Sequence, residues 1–298
     1  MLKPTSINGK IAIRYPMTST QPCKTNTTIS LADRLLTLPS FAAAPINRCN
    51  LPAVILGGLT YQHYPTTLHI DMVQEFHARL FTQLDGLGTP SERAQHFRQY
   101  MNSAFLLSDS EQVGFSHQNN GIRRDKADYL RLIRGWMFDA NSIEAAVIKR
   151  WVESRFGLLT LNHKGVIYGV SSDEYQRYLQ DYVRGLYNSN ALESQLDLLY
   201  TYCQYELIRQ MPNTAHLTLF RGVNGLPKSK SCSQLLLNNI NSFSDDREQA
   251  SIFGDHVFSA NIPTTKILYF PDLLPNLLRG EREFLVIGGM VDVQWLKG

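Results

Sequence analysis

His216-Leu217-Thr218-Leu219-Phe220-Arg221 is where the chain changes period. Polar and apolar residues alternate through this short run, the spacing of a strand with one buried face. Upstream of Pro212 the apolar residues recur at helical spacing instead. Val73, Phe76, Leu80 and Leu84 predict one helix face, and Pro90-Ser91-Glu92 opens a second helix with proline in its tolerated first turn and Phe97, Met101 and Phe105 as its stripe. Further helices are predicted through Tyr129, Ile133, Trp136 and Met137, through Ile148, Trp151 and Arg155 to a stop near Gly157, over 173–187, and along Leu192, Leu196, Leu199, Cys203 and Leu207. Downstream of Arg221, strands are predicted at 256–262, 266–270, 283–287 and 291–295, with a short helix at about 246–253. Helices first and strands afterwards predict an α+β fold rather than alternating βαβ units. The expected organisation is an irregular arm at 1–48, periodic only around 29–38, then a mainly helical part at 49–211 and a β-rich part at 212–298. Within the helical part, 51–64 reads as buried loop and short turns. The β-rich part is short for an independent unit and is expected to share one core with the helices.

Composition narrows the function. The chain has 298 residues, 43% of them apolar and 18% charged, which excludes a disordered or fibrous protein. A net charge of +3 with no run of Lys or Arg gives no reason to expect nucleic acid as a partner. The longest apolar stretches, near 51–59 and 284–291, are too short to span a membrane, and residues 1–10 lack the apolar core of a signal peptide. None of the four cysteines forms a Cys-x-x-Cys pair, so neither a zinc site nor a disulfide framework is expected, and a reduced, cytoplasmic setting is. There is no glycine-rich phosphate loop, no Gly-x-Ser-x-Gly elbow and no His-Glu-x-x-His, so no metal is expected either. His63, His69 and His77 read as surface or capping residues.

Three places in the β-rich part carry groups suited to chemistry. Arg221 ends a strand and is followed by Gly222. Ser242 and Ser244 stand two apart in Asn241-Ser242-Phe243-Ser244-Asp245-Asp246, so on a strand their hydroxyls share a face. Glu281 and Glu283 do the same in Gly280-Glu281-Arg282-Glu283, with Arg282 turned toward solvent. Each also has a plain structural reading: a turn with a solvated charge, an N-cap by Asp245 or Asp246, and an edge-strand charge pattern. Together they are more informative, because they fall in order on successive strand-like segments, Ser242 21 residues after Arg221 and Glu283 41 after Ser242.

That order resembles the Arg–Ser–Glu class of mono-ADP-ribosyltransferases, and Glu-x-Glu resembles its arginine-modifying branch. Three stretches outside the triplet resemble the NAD+–dinitrogenase reductase ADP-ribosyltransferase family: Asn50-Leu51-Pro52-Ala53-Val54-Ile55-Leu56-Gly57, Ala127-Asp128-Tyr129-Leu130-Arg131-Leu132-Ile133-Arg134-Gly135-Trp136 and Trp151-Val152-Glu153-Ser154-Arg155-Phe156-Gly157-Leu158. The similarity runs over about 30–298. It implies an ADP-ribosyltransferase-like core, NAD+ as co-substrate, and transfer of ADP-ribose to an arginine of dinitrogenase reductase, the nitrogenase iron protein, reversibly stopping nitrogen fixation. A PII-type nitrogen-signalling protein is the regulator it implies. Modification of another protein arginine, or NAD+ glycohydrolysis, is the alternative within the same chemistry. A non-catalytic NAD+-binding or scaffolding module is the alternative of another class.

The residue types suit the reaction. Cleaving the bond between ribose C1′ and the nicotinamide nitrogen leaves positive charge on the sugar, as in glycoside cleavage. A fixed carboxylate stabilises that charge most in the transition state. Glu283 is the candidate, and the resemblance also gives it the 2′-hydroxyl of the nicotinamide ribose. Arg221 offers a guanidinium fork for the phosphates or ribose of NAD+. Gly222, without a Cβ, lets backbone approach the nicotinamide amide. Ser242 is expected to hydrogen-bond Glu283 and hold its rotamer, and Ser244 to support the strand. Phe253 either stacks on nicotinamide or packs in the core beneath its short helix. Glu281 would orient the acceptor guanidinium and take its proton as the new bond forms. The helical part shows no catalytic role, and the polar, basic 119–126 either meets NAD+ or the target or simply leads into a helix.

Overall fold

The computed structural model describes residues 37–107, 127–187, 189–225, 233–275 and 282–296. The expectations for residues 1–36, for 119–126 and for Glu281 lie outside these residues. Among the described residues, α1 (Ala53–Leu56), α2 (Leu59–His63), α3 (Val73–Phe76), α4 (Ala78–Asp85), α5 (Pro90–Ala104), α6 (Tyr129–Phe138), α7 (Ile143–Phe156), α8 (Asp173–Leu186) and α9 (Leu192–Gln210) come first. Then follow β1 (His216–Val223), β2 (Gln234–Ser244), α10 (Arg247–Ile252), β3 (His256–Pro263), β4 (Ile267–Tyr269), β5 (Glu283–Asp292) and β6 (Gln294–Trp295). The fold is α+β, with the helices mostly N-terminal and the sheet C-terminal.

Local chemistry sets the helix ends. Thr89 and Glu92 close a capping box around Pro90 at the start of α5, where each satisfies a backbone N–H that the first turn leaves open. Ser142 caps α7, which ends where Gly157 turns left-handed at φ 71°. Charge then ties the helices together. Arg93 on α5 grips both carboxylate oxygens of Glu206 on α9 at 2.6 and 2.9 Å. Arg155 on α7 grips both oxygens of Asp197 on α9 at 2.7 and 2.9 Å, and the Trp151 indole donates to the same carboxylate at 2.7 Å. Between the two pairs, Phe97 and Tyr202 stack with ring centroids 4.0 Å apart.

The strands form one antiparallel sheet in the order β4-β5-β2-β1-β3-β6. β2 pairs with β5 from Gln234↔Asp292 to Ser244↔Glu283, and β1 pairs with β3 from His216↔Pro263 to Val223↔His256. Among the described residues, β1 and β2 share one register pair, Phe220↔Ser244. The sheet is therefore two three-stranded halves joined at a narrow seam. Hydrogen bonds join helices and sheet. Gln204 on α9 donates to Ile267 O at 2.8 Å, and Gly57 O, at the end of α1, accepts from Met290 N at 2.8 Å. One cluster of buried apolar side chains runs from Leu38 through the helices to Val293.

The sequence expectations need five corrections. Residues 51–64 are not loop and short turns: they carry the short helices α1 and α2. Val73, Phe76, Leu80 and Leu84 do not lie on one helix: the chain breaks at His77 into α3 and α4, and Phe76 is 83% exposed. His77 turns inward to meet the Tyr100 hydroxyl at 2.9 Å and takes the inward place that periodicity gave to Phe76, so it is not a surface histidine. β2, the longest strand, was absent from the predicted set, because a bulge between Leu237 and Ile240 breaks its alternation. Finally, 283–287 and 291–295 are not two separate strands: β5 runs straight through Gly288 and Gly289, and β6 follows as a two-residue strand. Gly288 lies opposite the bulge, where a Cβ would stand 1.8 Å from Asn238 O.

Candidate active site

At the seam, one cavity of about 330 Å³ is lined by Arg221, Gly222, Ser242, Ser244, Phe253 and Glu283, six of the seven residues singled out from the sequence. The seventh, Glu281, lies outside the described residues. Register explains the gathering. Phe220, Ser244 and Glu283 form a row across β1, β2 and β5, and Ser242 sits two residues along β2 on the same face as Ser244. The seam keeps the row narrow, and each neighbouring residue has a definite job.

Arg221 is half-buried and reaches across the seam: its guanidinium donates to the Ser242 carbonyl and lies over the Phe243 ring, 5.8 Å from the centroid. Gly222 has a packing reason to be glycine. A Cβ there would stand 2.1 Å from Ala250 O, because the end of α10 rests directly on β1. Ser244 accepts from Asp246 N at 3.0 Å, and Asp246 in turn caps α10 by accepting from Glu248 N at 2.8 Å. Of the two aspartates considered as the N-cap, Asp246 is therefore the cap. This turn sets where α10 begins and so where Phe253 comes to lie. Phe253 is 55% exposed on the cavity wall, which removes its reading as a core residue.

Ser242 has a partner that sequence reasoning missed. Its hydroxyl oxygen accepts from the indole N–H of Trp136 on α6 at 3.0 Å. Met137, Phe138, Asp139 and Ala140, the residues that follow, also line the cavity. The helical part therefore contributes to the site. Its hidden side is held by Lys149, whose ammonium donates to Ala140 O at 2.8 Å and lies 5.7 Å from the Trp136 ring centroid. Burial lowers the Lys149 ammonium from its ordinary 10.5 to about 7.

Glu283 is half-buried at the start of β5. Its charge reaches the neighbouring strand: burial raises the Tyr269 phenol above its ordinary range, and the Glu283 carboxylate adds to that rise. Arg282 points outward, as its neighbours predicted, and forms a bidentate pair with Asp245 at 2.7 and 2.6 Å on the rim. That pair raises the Arg282 pKa further, the hydrogen bond to Asp245 being the main cause. Among the described residues, no group of three or more His, Cys, Asp or Glu is placed to hold a metal, and no helix is long and apolar enough to cross a membrane.

A carboxylate, a hydroxyl, a guanidinium and an aromatic ring around one cavity suit a ligand that is anionic at one end and develops positive charge at the other. The comparisons with known proteins give the family. A family model described as dinitrogenase reductase ADP-ribosyltransferase matches residues 46–295, and the chain belongs to that family. The match begins at 46 rather than near 30, as the resemblance had suggested. The chain is 35% identical over 252 residues to the NAD(+)–dinitrogen-reductase ADP-D-ribosyltransferase of Rhodospirillum rubrum, covering 82% of this chain and 91% of that protein. No solved structure matches.

Proposed function

We propose that the chain is an NAD+-dependent mono-ADP-ribosyltransferase that modifies an arginine of dinitrogenase reductase and so stops nitrogen fixation reversibly. Family membership supports the reaction class, and the gathering of Arg221, Ser242 and Glu283 around one cavity is the observation that carries the mechanism. The cavity volume is at the low end of ligand pockets, which run from about 300 to 1,000 Å³. It suits the nicotinamide–ribose end of NAD+, with the adenylate end lying beyond it.

In this reading Phe253 stacks on the nicotinamide, the Gly222 backbone meets its amide, and Arg221 pairs with phosphate or ribose oxygens. The C1′–nitrogen bond breaks, its electron pair leaves with neutral nicotinamide, and the Glu283 carboxylate stabilises the cationic ribose. Ser242 holds Glu283 in place, and Ser244 holds the turn that carries α10. A guanidinium nitrogen of the target arginine then attacks C1′, while Glu281 orients it and takes the proton it sheds. The setting is cytoplasmic, with a PII-type protein as regulator.

The test is incubation of the protein with NAD+ and purified dinitrogenase reductase, followed by mass spectrometry. One ADP-ribose on an arginine of the reductase is the expected product. Modification of other proteins alone, or NAD+ hydrolysis without transfer, favours the alternative within the same chemistry. NAD+ binding without turnover would favour the non-catalytic module.

A further inference from the structure

We propose that Trp136 is a positioning residue for the transfer reaction and acts through Ser242. The inference rests on reading the cavity at the seam as the transfer site. An indole N–H only donates, so in the 3.0 Å bond the Ser242 oxygen must accept. The proton of the serine hydroxyl is thereby sent to a different partner. An ionised carboxylate only accepts, and Glu283 stands diagonally across the β2–β5 ladder, within the reach of a long side chain. The line from indole N–H to serine O–H to carboxylate or ligand oxygen has one direction, and Trp136 sets it.

The donor is also held rigidly. Trp136 is 3% exposed. Just before it, a Cβ on Gly135 would stand 2.4 Å from the Glu144 Cβ, so α6 and α7 approach as closely as their backbones allow. Ser142 donates to Gly135 O at 3.1 Å while capping α7 through Ala145 N. Lys149 fixes the far side, over the indole and on Ala140 O. A phenylalanine or leucine would serve the apolar stripe of α6 equally well, and tryptophan adds the one donor that the sheet uses. Such a locked supporting contact keeps a reacting group in its productive rotamer.

The experiment compares wild type, Trp136→Phe, Ser242→Ala and the double variant, measuring transfer to dinitrogenase reductase and NAD+ hydrolysis. The expected result for Trp136→Phe is a fall of about tenfold in kcat, with KM for NAD+ within about twofold of wild type. The double variant should be no slower than Ser242→Ala alone, because both changes cut one line. A kcat for Trp136→Phe within about twofold of wild type overturns the proposal, as does a double variant whose loss is the product of the two singles. A second readout does not depend on Trp136→Phe folding. In Ser242→Ala, the Trp136 indole N–H resonance should shift and exchange faster with solvent; an unmoved, equally protected resonance overturns the proposal. A wild type that neither transfers ADP-ribose nor consumes NAD+ overturns the transferase reading itself, and this inference with it.

Discussion

The helical part and the sheet seam use the same residue types in opposite ways. Between the helices, Arg93 and Glu206 have side chains 4% and 1% exposed, and Arg155 and Asp197 are nearly as enclosed. Each guanidinium there closes on both oxygens of a carboxylate. At the seam, Arg221, Ser242 and Glu283 are half-buried and border open volume. The Arg282–Asp245 pair at the rim is wetter still, with side chains 63% and 32% exposed. The difference separates two uses of charge. Matched pairs in the helices hold the scaffold, while the polar and charged groups at the seam line a cavity. Trp136 belongs to both regions, buried with the helices and bonded to the sheet.

The sharpest way to break this contrast is to damage the scaffold alone. Glu206→Ala leaves the Arg93 charge buried without its partner and is expected to cost about 3–5 kcal/mol of stability, a drop of roughly 10 °C in melting temperature. The surviving folded protein, assayed cold, should keep its kcat. An unchanged melting temperature, or a kcat that falls with it, would dissolve the distinction.

Gly222→Ala should move both readouts. The new Cβ meets Ala250 O, so α10 must lift and carry Phe253 with it. Thermal unfolding should register about 1–3 kcal/mol of overpacking, and NAD+ turnover should fall about tenfold. Turnover at the wild-type level would mean that the α10 wall is no part of the site.

A further test concerns pH. Burial lowers Lys266, which donates to Gly288 O, to about 7, as it does Lys149. With the folded value below the unfolded one, the unfolded chain holds more protons between pH 7 and about 10. Stability should therefore rise as pH increases through that window and fall again on return to neutrality. Urea midpoints at several pH values measure the slope, and Lys266→Met should flatten it in part. Equal slopes in the two proteins would contradict the assignment.

The sequence made the fold class legible because the change of period at His216 is sharp. It hid β2 because Asn238 and Asn239 interrupt the strand's apolar pattern. Both tie the strand to its neighbours: the buried Asn239 donates to Lys149 O on α7 at 2.8 Å, and Asn238 to Asn162 O, beyond the end of α7, at 3.0 Å. The side chains that blur the strand are those that bind it to its neighbours. Arg221, Ser242 and Glu283 could be singled out because their residue types fall in order on strand-like segments, and the fold brings all three to one cavity. Trp136 was read as a stripe residue and as part of a stretch resembling the family, not as a site residue, since its partner lies 106 residues downstream and no local pattern encodes that bond. The wall contributed by the end of α6 was hidden for the same reason, whereas Phe253 at the end of α10 was singled out from the sequence.

The most direct measurement pairs NAD+ binding by calorimetry with single-turnover cleavage of NAD+, in wild type and Glu283→Gln. The variant keeps the shape of the side chain and removes its charge. Binding should stay within about threefold while cleavage falls by about 10²–10³ or more, because the carboxylate matters most when the sugar is cationic. Cleavage near the wild-type rate without that carboxylate would contradict the central claim that the seam of the sheet is where the bond to nicotinamide breaks.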